Sequence, residues 1–204
     1  MAISNGYATL ADVKAAARVT DTFDDGLFEV AIESASRDID AYCERVFYNA
    51  GSLTRVYIPA DIYRLETDDL VSVTTIKSDT NGDGGFNQTW AATDYQLEPL
   101  NGIAGGIATP YTRIRAVGDL LWPVYEPRDI NAGQASVEVT GVFGFASIPI
   151  AIKQATILAS LRAYKRYESP TGVLGFSDVG VVRIGRLDPD VQRLIDPYRK
   201  FLLA

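Results

Sequence analysis

Hydrophobic positions at three- and four-residue spacing predict helices near both ends of the chain. A short alanine-rich helix is expected from Thr9 to about Val19, because the Thr9 hydroxyl precedes the Asp12 carboxylate by three residues, as at a helix N-cap. A second helix is predicted from Leu27 to about Phe47. Its apolar stripe is wider than about 100°, which predicts a helix buried on two faces at the centre of its bundle. The stripe consists of Leu27, Val30, Ala31, Ser34, Ala35, Asp38, Tyr42 and Val46, widened by Phe28, Ile32, Ile39 and Cys43.

Short alternating segments rich in β-branched and aromatic residues occupy the middle of the chain, at 51–147. Clusters of Gly, Pro, Asn and Asp separate these segments, as is typical of turns between antiparallel strands. The pattern predicts a small antiparallel sheet, sandwich or barrel. The predicted strands are 53–58, 63–65, 71–78, 94–98, 111–116 and 135–140.

Helical periodicity returns after Pro149 and continues to about Tyr167. A glycine-punctuated stretch follows at 172–187. The sequence Asp188-Pro189-Asp190 then supplies a cap, a first-turn proline and a first-turn carboxylate, and predicts a last helix that continues to the end of the chain. We therefore predict an α+β fold: a bundle of about four helices, with a small antiparallel β block inserted between helices two and three. The whole chain is interpreted as one domain, composed of 1–50, 51–147 and 148–204.

The chain has no histidine and one cysteine, which narrows the chemistry that it can support. A zinc site and a Ser-His or Cys-His nucleophile are excluded, and Cys43 is expected to be a small buried core residue. No run of about 18 apolar residues is present, so a membrane-spanning helix is not expected. We expect a protein without cofactor or catalytic residues, made in a reducing cytoplasm.

Charge is unevenly distributed within the net charge of −7. Residues 1–148 contain 10 basic and 21 acidic residues, whereas residues 149–204 contain 9 basic and 5 acidic residues. An acidic surface repels phosphate, so sequence-specific binding of DNA or RNA is not expected. The basic C-terminal part suits either an acidic partner surface or a solvated helix face.

Three local patterns have both a functional and a structural interpretation. The sequence of 79–84 matches the start of an EF-hand loop, but Trp90 replaces the bidentate glutamate at the twelfth position, so a polar turn is favoured over a cation site. The pairs Asp24-Asp25 and Asp68-Asp69 suit solvated positions better than a hydrolytic or magnesium site. Exposed Trp90 and Trp122 would indicate a small ligand-binding β module, although both residues also suit a core.

Two clusters combine cations with aromatic residues, as protein interfaces often do. Tyr164-Lys165-Arg166-Tyr167 lies at the predicted end of the third helix, where basic side chains also interact favourably with the helix dipole. The second cluster lies at the end of the chain and docks either within the chain or on a partner. Its members are Arg193, Tyr198, Arg199, Lys200 and Phe201.

Three stretches of the sequence resemble the head–tail connector (adaptor) proteins of tailed bacteriophages. They are Tyr7-Ala8-Thr9-Leu10-Ala11-Asp12-Val13-Lys14, the stretch 35–43, and the stretch 137–145, which continues through Ile148-Pro149 into an alanine-rich helix. The resemblance implies a structural virion protein that forms a ring, commonly of twelve copies, at the head–tail junction. Its implied partners are the portal protein and a tail-side adaptor, stopper or tail-completion protein.

The resemblance also implies a role for the ring. It would extend the DNA channel, let double-stranded DNA pass without specific binding, and provide a platform for tail attachment. The C-terminal helix of such proteins is implicated in gripping the portal, which here implicates Arg193, Tyr198, Arg199, Lys200 and Phe201. Another ring of the neck or tail-completion class is the alternative within virion proteins, and a small ligand-binding β module is the alternative outside them.

A head-to-tail ring requires two different complementary patches on each subunit, and the glycine-rich segment is a candidate for reaching a neighbour. The candidate residues are Val179, Val181, Arg183 and Arg186. Deletion of residues 174–184 is predicted to block ring formation, measured by sedimentation, while the melting temperature stays nearly unchanged. Unimpaired assembly of the deletion variant would contradict this hypothesis.

Overall fold

The computed structural model describes residues 3–104, 107–125, 129–168 and 188–200. It contains helices and an antiparallel sheet, so the predicted α+β class is confirmed. The chain divides into two compact units: a helical unit, Met1–Tyr48 with Ile148–Ala204, and a β unit, Asn49–Ser147. The described helices are α1 (Leu10–Ala17), α2 (Asp25–Cys43), α3 (Ile150–Glu168) and α4 (Pro189–Ile195), followed by one 3₁₀ turn (Asp196–Tyr198).

The predicted N-cap starts α1. The Thr9 hydroxyl accepts a hydrogen bond from the N–H of Asp12, and the Asp12 carboxylate accepts one from the N–H of Thr9. The same carboxylate pairs with the ammonium group of Lys153 at 2.8 Å. Because Lys153 belongs to α3, the cap also ties α1 to α3. The helix ends at Ala17, two residues before the predicted end, where Arg18 adopts a left-handed conformation with φ of 59°.

One side of α2 forms the core of the helical unit. Its buried residues are Phe28, Ala31, Ile32, Ala35, Ser36, Ile39 and Cys43. The second apolar side is exposed: Leu27 and Val30 retain 39% and 41% of their accessible surface, and Ser34 is exposed as well. The sequence predicted that α2 is buried on two faces. Among the described residues of a single chain, this prediction is wrong, because the second face is exposed to water.

Two predicted helix ends are corrected by local backbone chemistry. Helix α2 ends at Cys43 instead of Phe47, because Glu44 adopts a left-handed conformation with φ of 54° and its N–H bonds to the Asp40 carbonyl. Helix α4 ends at Ile195 instead of continuing to the end of the chain. Pro197 lacks the N–H that a further helical turn requires, and the chain continues as a 3₁₀ turn.

The β unit contains a six-stranded antiparallel sheet with the order β1-β8-β2-β7-β4, and β3 also pairs with β2. A separate two-stranded ribbon is formed by β5 and β6. The strands are β1 (Asn49–Tyr57), β2 (Arg64–Ser78), β3 (Gln88–Trp90), β4 (Tyr95–Glu98), β5 (Ile103–Ala104), β6 (Ile107–Ala108), β7 (Tyr111–Ala116) and β8 (Val137–Gly144). Two predicted strands, 63–65 and 71–78, merge into the single long strand β2, which begins at Arg64, one residue after the predicted start.

Strand β2 organises the sheet because different partners pair with its two ends. Its first half pairs with β7, and its last residues pair with β3. On its other side β2 pairs with β8, where Gly141 approaches so closely that a Cβ would lie 2.3 Å from the Ser72 carbonyl oxygen. The core of the unit consists of Leu65, Leu70, Ile76, Trp90, Ile114, Ala116, Trp122, Val137, Val139 and Phe143.

The α1 cap makes the stability of the helical unit depend on pH. Hydrogen bonds from Lys153 and Thr9 lower the pKa of Asp12 to about 2. Because the folded pKa lies below that of the unfolded chain, this stabilisation is complete above about pH 4 and is lost as the pH falls towards the folded value.

We predict that Thr9→Ala lowers the free energy of unfolding by about 1 kcal/mol at pH 7, because the N–H of Asp12 loses its acceptor. Asp12→Asn should also destabilise the unit at pH 7, and its stability should change less than that of the wild type between pH 5 and about 2. Urea unfolding across this pH range measures both effects. The matched control is Asp38→Asn, at an exposed position of α2. An unchanged acid dependence in Asp12→Asn would contradict the role of this carboxylate.

Candidate interaction surfaces

The segment 196–200 packs against the end of α2. The N–H of Lys200 donates to the carbonyl oxygen of Cys43 at 2.9 Å. The Tyr42 hydroxyl donates to the Asp196 carboxylate at 2.6 Å. The guanidinium group of Arg199 lies over the Tyr42 ring, with 5.4 Å between its carbon and the ring centroid. The C-terminal segment up to residue 200 therefore docks within the chain.

The same docking involves an aromatic contact. The rings of Tyr198 and Phe47 meet edge to face with 5.8 Å between their centroids. The Tyr198 carbonyl oxygen also accepts a hydrogen bond from Arg45 at 3.1 Å. Among the sequence candidates for a portal interface, Tyr198, Arg199 and Lys200 are thus held by contacts within the helical unit. Their availability to a partner is limited to the atoms that these contacts leave exposed.

Arg193 differs from the other C-terminal candidates. It lies in the last turn of α4, is exposed, and makes no ion pair within the described part of the chain. The buried side of α4 is formed by Val191 and Ile195, which anchor the helix. Arg193 is therefore presented to solvent by a helix that is itself fixed. Phe201 and the inter-subunit candidates Val179, Val181, Arg183 and Arg186 lie outside the described residues.

The cation–aromatic cluster at the end of α3 splits into a core residue and a surface group. The Tyr164 ring stacks on Phe28 with 4.1 Å between centroids, and its hydroxyl donates to Asp24 at 2.7 Å. In contrast, Lys165 and Arg166 are exposed, and Tyr167 retains 56% of its accessible surface. We call Lys165, Arg166 and Tyr167 the basic α3 end.

A buried polar cluster around Tyr7 was missed by the sequence analysis. The Tyr7 hydroxyl donates to the Asp40 carboxylate and accepts from the N–H of Phe47 at 2.8 Å. Arg37 pairs with Asp40 at 3.2 Å, and its guanidinium lies over the Tyr7 ring. Burial raises the pKa of Asp40 and of Tyr7. These residues are far apart in sequence, so spacing gave no signal for a cluster that joins the N-terminal segment to α2.

The EF-hand-like segment is a tight polar turn. The buried Asp79 carboxylate accepts the N–H groups of Asn81, Gly82 and Gly84 at 2.8 to 3.0 Å. Burial alone would raise the pKa of Asp79, but these hydrogen bonds hold the pKa below its usual range. Gly82 and Gly84 have φ values of 71° and 81°, which favour glycine. The carboxylate is therefore occupied by its own backbone.

The acidic pairs do not form a shared cleft. Asp24 accepts the Tyr164 hydroxyl, and Asp25 pairs with Lys14 at 2.5 Å. Asp68 and Asp69 lie within β2, where Asp68 pairs with Arg55 and Asp69 is buried. The prediction of a solvated position is wrong for Asp69. Across the described ranges, no group of three or more metal-ligating side chains comes together.

The two tryptophans belong to the core of the β unit. Trp90 and Trp122 retain 5% and 1% of their accessible surface, and their rings stack with 3.8 Å between centroids. The indole N–H of Trp90 donates to Ser78 at 2.9 Å. The interpretation as a ligand-binding β module depended on exposed tryptophans. Both tryptophans are buried, so they give this interpretation no support. Among the described helices, none is both long enough and apolar enough to span a membrane.

A known protein family matches the first part of the chain. Residues 7–81 match the family described as "Phage gp6-like head-tail connector protein", a stretch that includes α1, α2, β1 and β2. Over this stretch the chain is similar to the phage gp6-like head–tail connectors, and the resemblance indicated by the sequence is thereby confirmed. Among curated proteins there is no match.

The fold is shared with two solved structures over the full length of this chain. A chain in "Neck of empty GTA particle computed with C6 symmetry" superposes with a TM-score of 0.57 at 17% identity. A chain in "Virion of native gene transfer agent (GTA) particle" superposes with a TM-score of 0.58 at 18% identity. Each alignment covers 100% of this chain and 95% of the other.

We predict that Asp79→Ala lowers the melting temperature of the β unit, because three backbone N–H groups lose their acceptor. The control Asp83→Ala removes a carboxylate that accepts the N–H of Gly85, one backbone donor instead of three among the described residues, and should have a smaller effect. Calcium at millimolar concentration should not shift the wild-type melting temperature, since a ligand that binds the folded state would raise it. A calcium-dependent rise that Asp79→Ala abolishes would contradict the turn interpretation.

Proposed function

We propose that this chain is the subunit of an oligomeric ring located in the virion, between the portal and the tail. The ring extends the DNA channel and provides the platform to which a tail-side adaptor, stopper or tail-completion protein attaches. Its role is structural and not catalytic. The observation that supports this proposal most is the connector-family match over residues 7–81. The likeness of the whole chain to a neck protein supports the same assignment.

The two units have separate roles in this proposal. The helical unit is the connector bundle, and the β unit is an insertion between α2 and α3 within a single connector domain. The chain order supports this division, because the β unit at Asn49–Ser147 interrupts the helical unit between α2 and α3. An insertion of this kind provides surface for tail-side partners without altering the helices that pack together.

Twelve copies are the proposed size of the ring. The neck of the similar GTA particle was computed with six-fold symmetry. Six divides twelve, so a ring of twelve is compatible with that symmetry if this chain assembles in a similar way. A cyclic ring of identical subunits also requires head-to-tail contacts, which use two different patches on each subunit.

Double-stranded DNA passes through the proposed ring without specific binding. Residues 1–148 contain 21 acidic residues against 10 basic ones, and an acidic lining lowers affinity for phosphate. Cations of the β unit are also neutralised by ion pairs. The pairs are Arg55 with Asp68, Lys77 with Glu138, and Arg113 with Glu66 and Glu98. Three of the five Lys and Arg residues in the described strands of the sheet are therefore engaged by carboxylates, which reduces their attraction for DNA phosphates.

The proposed portal contact lies in the C-terminal segment. Among the candidate residues, Arg193 is the exposed cation on a fixed helix, whereas Tyr198, Arg199 and Lys200 also stabilise the docked segment. Arg193 is therefore the residue best suited to pair with a carboxylate of the portal. Arg199 and Lys200 contribute through their remaining exposed surface.

The test is a phage or phage-like particle with a nonsense mutation in this gene, complemented with plasmid-borne variants. Without complementation, electron microscopy should show unjoined tails beside capsids that fail to retain DNA. The wild type and Arg193→Lys should restore joined particles, whereas Arg193→Glu should reduce their number at least tenfold. Thermal melts of the purified variants check that the fold is unchanged.

The two parts of the proposal fail separately in this test. Intact, joined particles in the absence of the protein would contradict the connector function itself. Full rescue by Arg193→Glu would contradict only the portal contact and leave the ring proposal in place. Capsids that retain DNA but lack tails would favour the alternative of a tail-completion ring.

A further inference from the structure

We infer that the pair Asn101-Gly102 is a site of spontaneous deamidation, and that the fold protects the two other Asn-Gly pairs of the chain from the same reaction. The three pairs are Asn5-Gly6, Asn81-Gly82 and Asn101-Gly102. The inference is independent of the proposed ring function, since the reaction requires only the folded chain and water.

The reaction is an attack by the backbone on the asparagine side chain. The backbone nitrogen of the following residue attacks the side-chain amide carbon, its proton passes through water to the leaving nitrogen, and ammonia departs. A cyclic succinimide remains, and a water molecule opens it at either carbonyl group to give aspartate or isoaspartate. Glycine favours the attack because it has no Cβ to obstruct the approach of its nitrogen. Asparagine is accordingly among the heat-labile residues of proteins.

Both reacting groups of Asn101-Gly102 are free of hydrogen bonds among the described residues. Asn101 lies in the turn between β4 and β5 and is exposed to water. The carbonyl oxygen of Gly102 accepts the N–H of Thr109 at 3.0 Å, which closes the β5–β6 ribbon. Within the described ranges, no group accepts the N–H of Gly102 and none bonds to the Asn101 amide. Neither the attacking nitrogen nor the amide that it attacks is therefore held in place by such a bond.

The ribbon requires glycine at position 102. A Cβ on this residue would lie 2.0 Å from Oγ1 of Thr109 and 2.8 Å from Cγ of Pro99. A larger residue would have to displace one or both of these side chains. The close packing of the ribbon therefore favours the residue that makes the preceding asparagine labile.

The pair Asn81-Gly82 has the same sequence, but its attacking nitrogen is occupied. The N–H of Gly82 donates to the Asp79 carboxylate at 2.8 Å. The side-chain oxygen of Asn81 also accepts the Thr80 hydroxyl at 3.3 Å. Attack requires the loss of a hydrogen bond to a charged acceptor, which should slow the reaction about tenfold or more.

The pair Asn5-Gly6 is fixed on both sides by the helical unit. The carbonyl oxygen of Asn5 accepts a hydrogen bond from Arg37 at 2.9 Å. The N–H of Tyr7 donates to the Ser36 hydroxyl at 3.1 Å. A Cβ at Gly6 would lie 2.9 Å from a side chain of α2, so the backbone here is closely packed. Rotation of the Gly6 nitrogen towards the Asn5 side chain requires this packing to open, and the pair should also react slowly.

Conversion of Asn101 changes the β5–β6 ribbon as the protein ages. The new carboxylate adds negative charge three residues after Glu98. Isoaspartate also adds one carbon to the main chain, immediately before the residue whose carbonyl oxygen bonds to Thr109. The aged chain is therefore expected to contain a ribbon of altered charge and geometry.

The experiment follows all three pairs by peptide mapping of the purified full chain, kept at physiological temperature and pH in heavy-oxygen water. Mass spectrometry with fragmentation measures the oxygen incorporated at each pair, so conversion before the incubation is not counted. Asn101 should convert at least about tenfold faster than Asn81, and should give both aspartate and isoaspartate. In urea the three pairs should convert at similar rates, because they share one sequence and no longer differ in structure.

Variants of the Asp79 turn test the protection of the second pair. Asp79→Ala frees the N–H of Gly82 and should raise the rate at Asn81 about tenfold, while the rate at Asn101 stays unchanged. The matched control Asp83→Ala leaves the bond from Gly82 to Asp79 in place and should not raise the rate at Asn81. Asn101→Gln should remove most of the acidic species that form with time, because the longer side chain closes a ring slowly.

The outcomes are distinct from those for the ring. Equal rates at the three pairs in the folded chain, or faster conversion at either other pair than at Asn101, would overturn the inference. Absence of heavy oxygen at Asn101, after the chain in urea has converted, would do so as well. If the rates at Asn81 and Asn101 are both unchanged in Asp79→Ala, the protective role of the Asp79 hydrogen bond is overturned. Ring formation is measured separately, by sedimentation.

Discussion

The packing of α2 is the constraint on which the rest of the helical unit depends. Helix α1 and the C-terminal half of α3 pack against its buried side through Phe28 and Ile32. The segment 196–200 docks on its last turn through Cys43 and Tyr42. The opposite side is also apolar but remains exposed. Among the described residues, one apolar side of α2 is therefore buried and the other is exposed to water.

This constraint connects the fold with the proposed function. A subunit that is complete by itself has no thermodynamic reason to form a ring, whereas a subunit with an uncovered apolar face gains from head-to-tail association. The excess of acidic residues in 1–148 fits the proposed DNA channel, because a channel through which DNA slides must not bind the DNA phosphates tightly.

Sequence reasoning succeeded where the signal is local. The Thr9–Asp12 cap and the strand Tyr111–Ala116 follow from spacing and alternation within a few residues, and both are present as predicted. Strands β3, β5 and β6 were missed, because two or three residues are too few to show a period. The Tyr7–Asp40 cluster joins residues that are 33 positions apart, so no window of the sequence reveals it. The early end of α4 is different. Pro197 indicates that the helix stops near this residue, but the hydrophobic spacing on both sides of it favoured a longer helix.

The central claim is that this chain forms the ring that joins head and tail. The most direct measurement is electron microscopy of the neck in intact particles that encode the chain, at a resolution that distinguishes helices. We predict a closed ring of copies of this chain between the portal and the tail. A complete neck that contains no copy of this fold would contradict it.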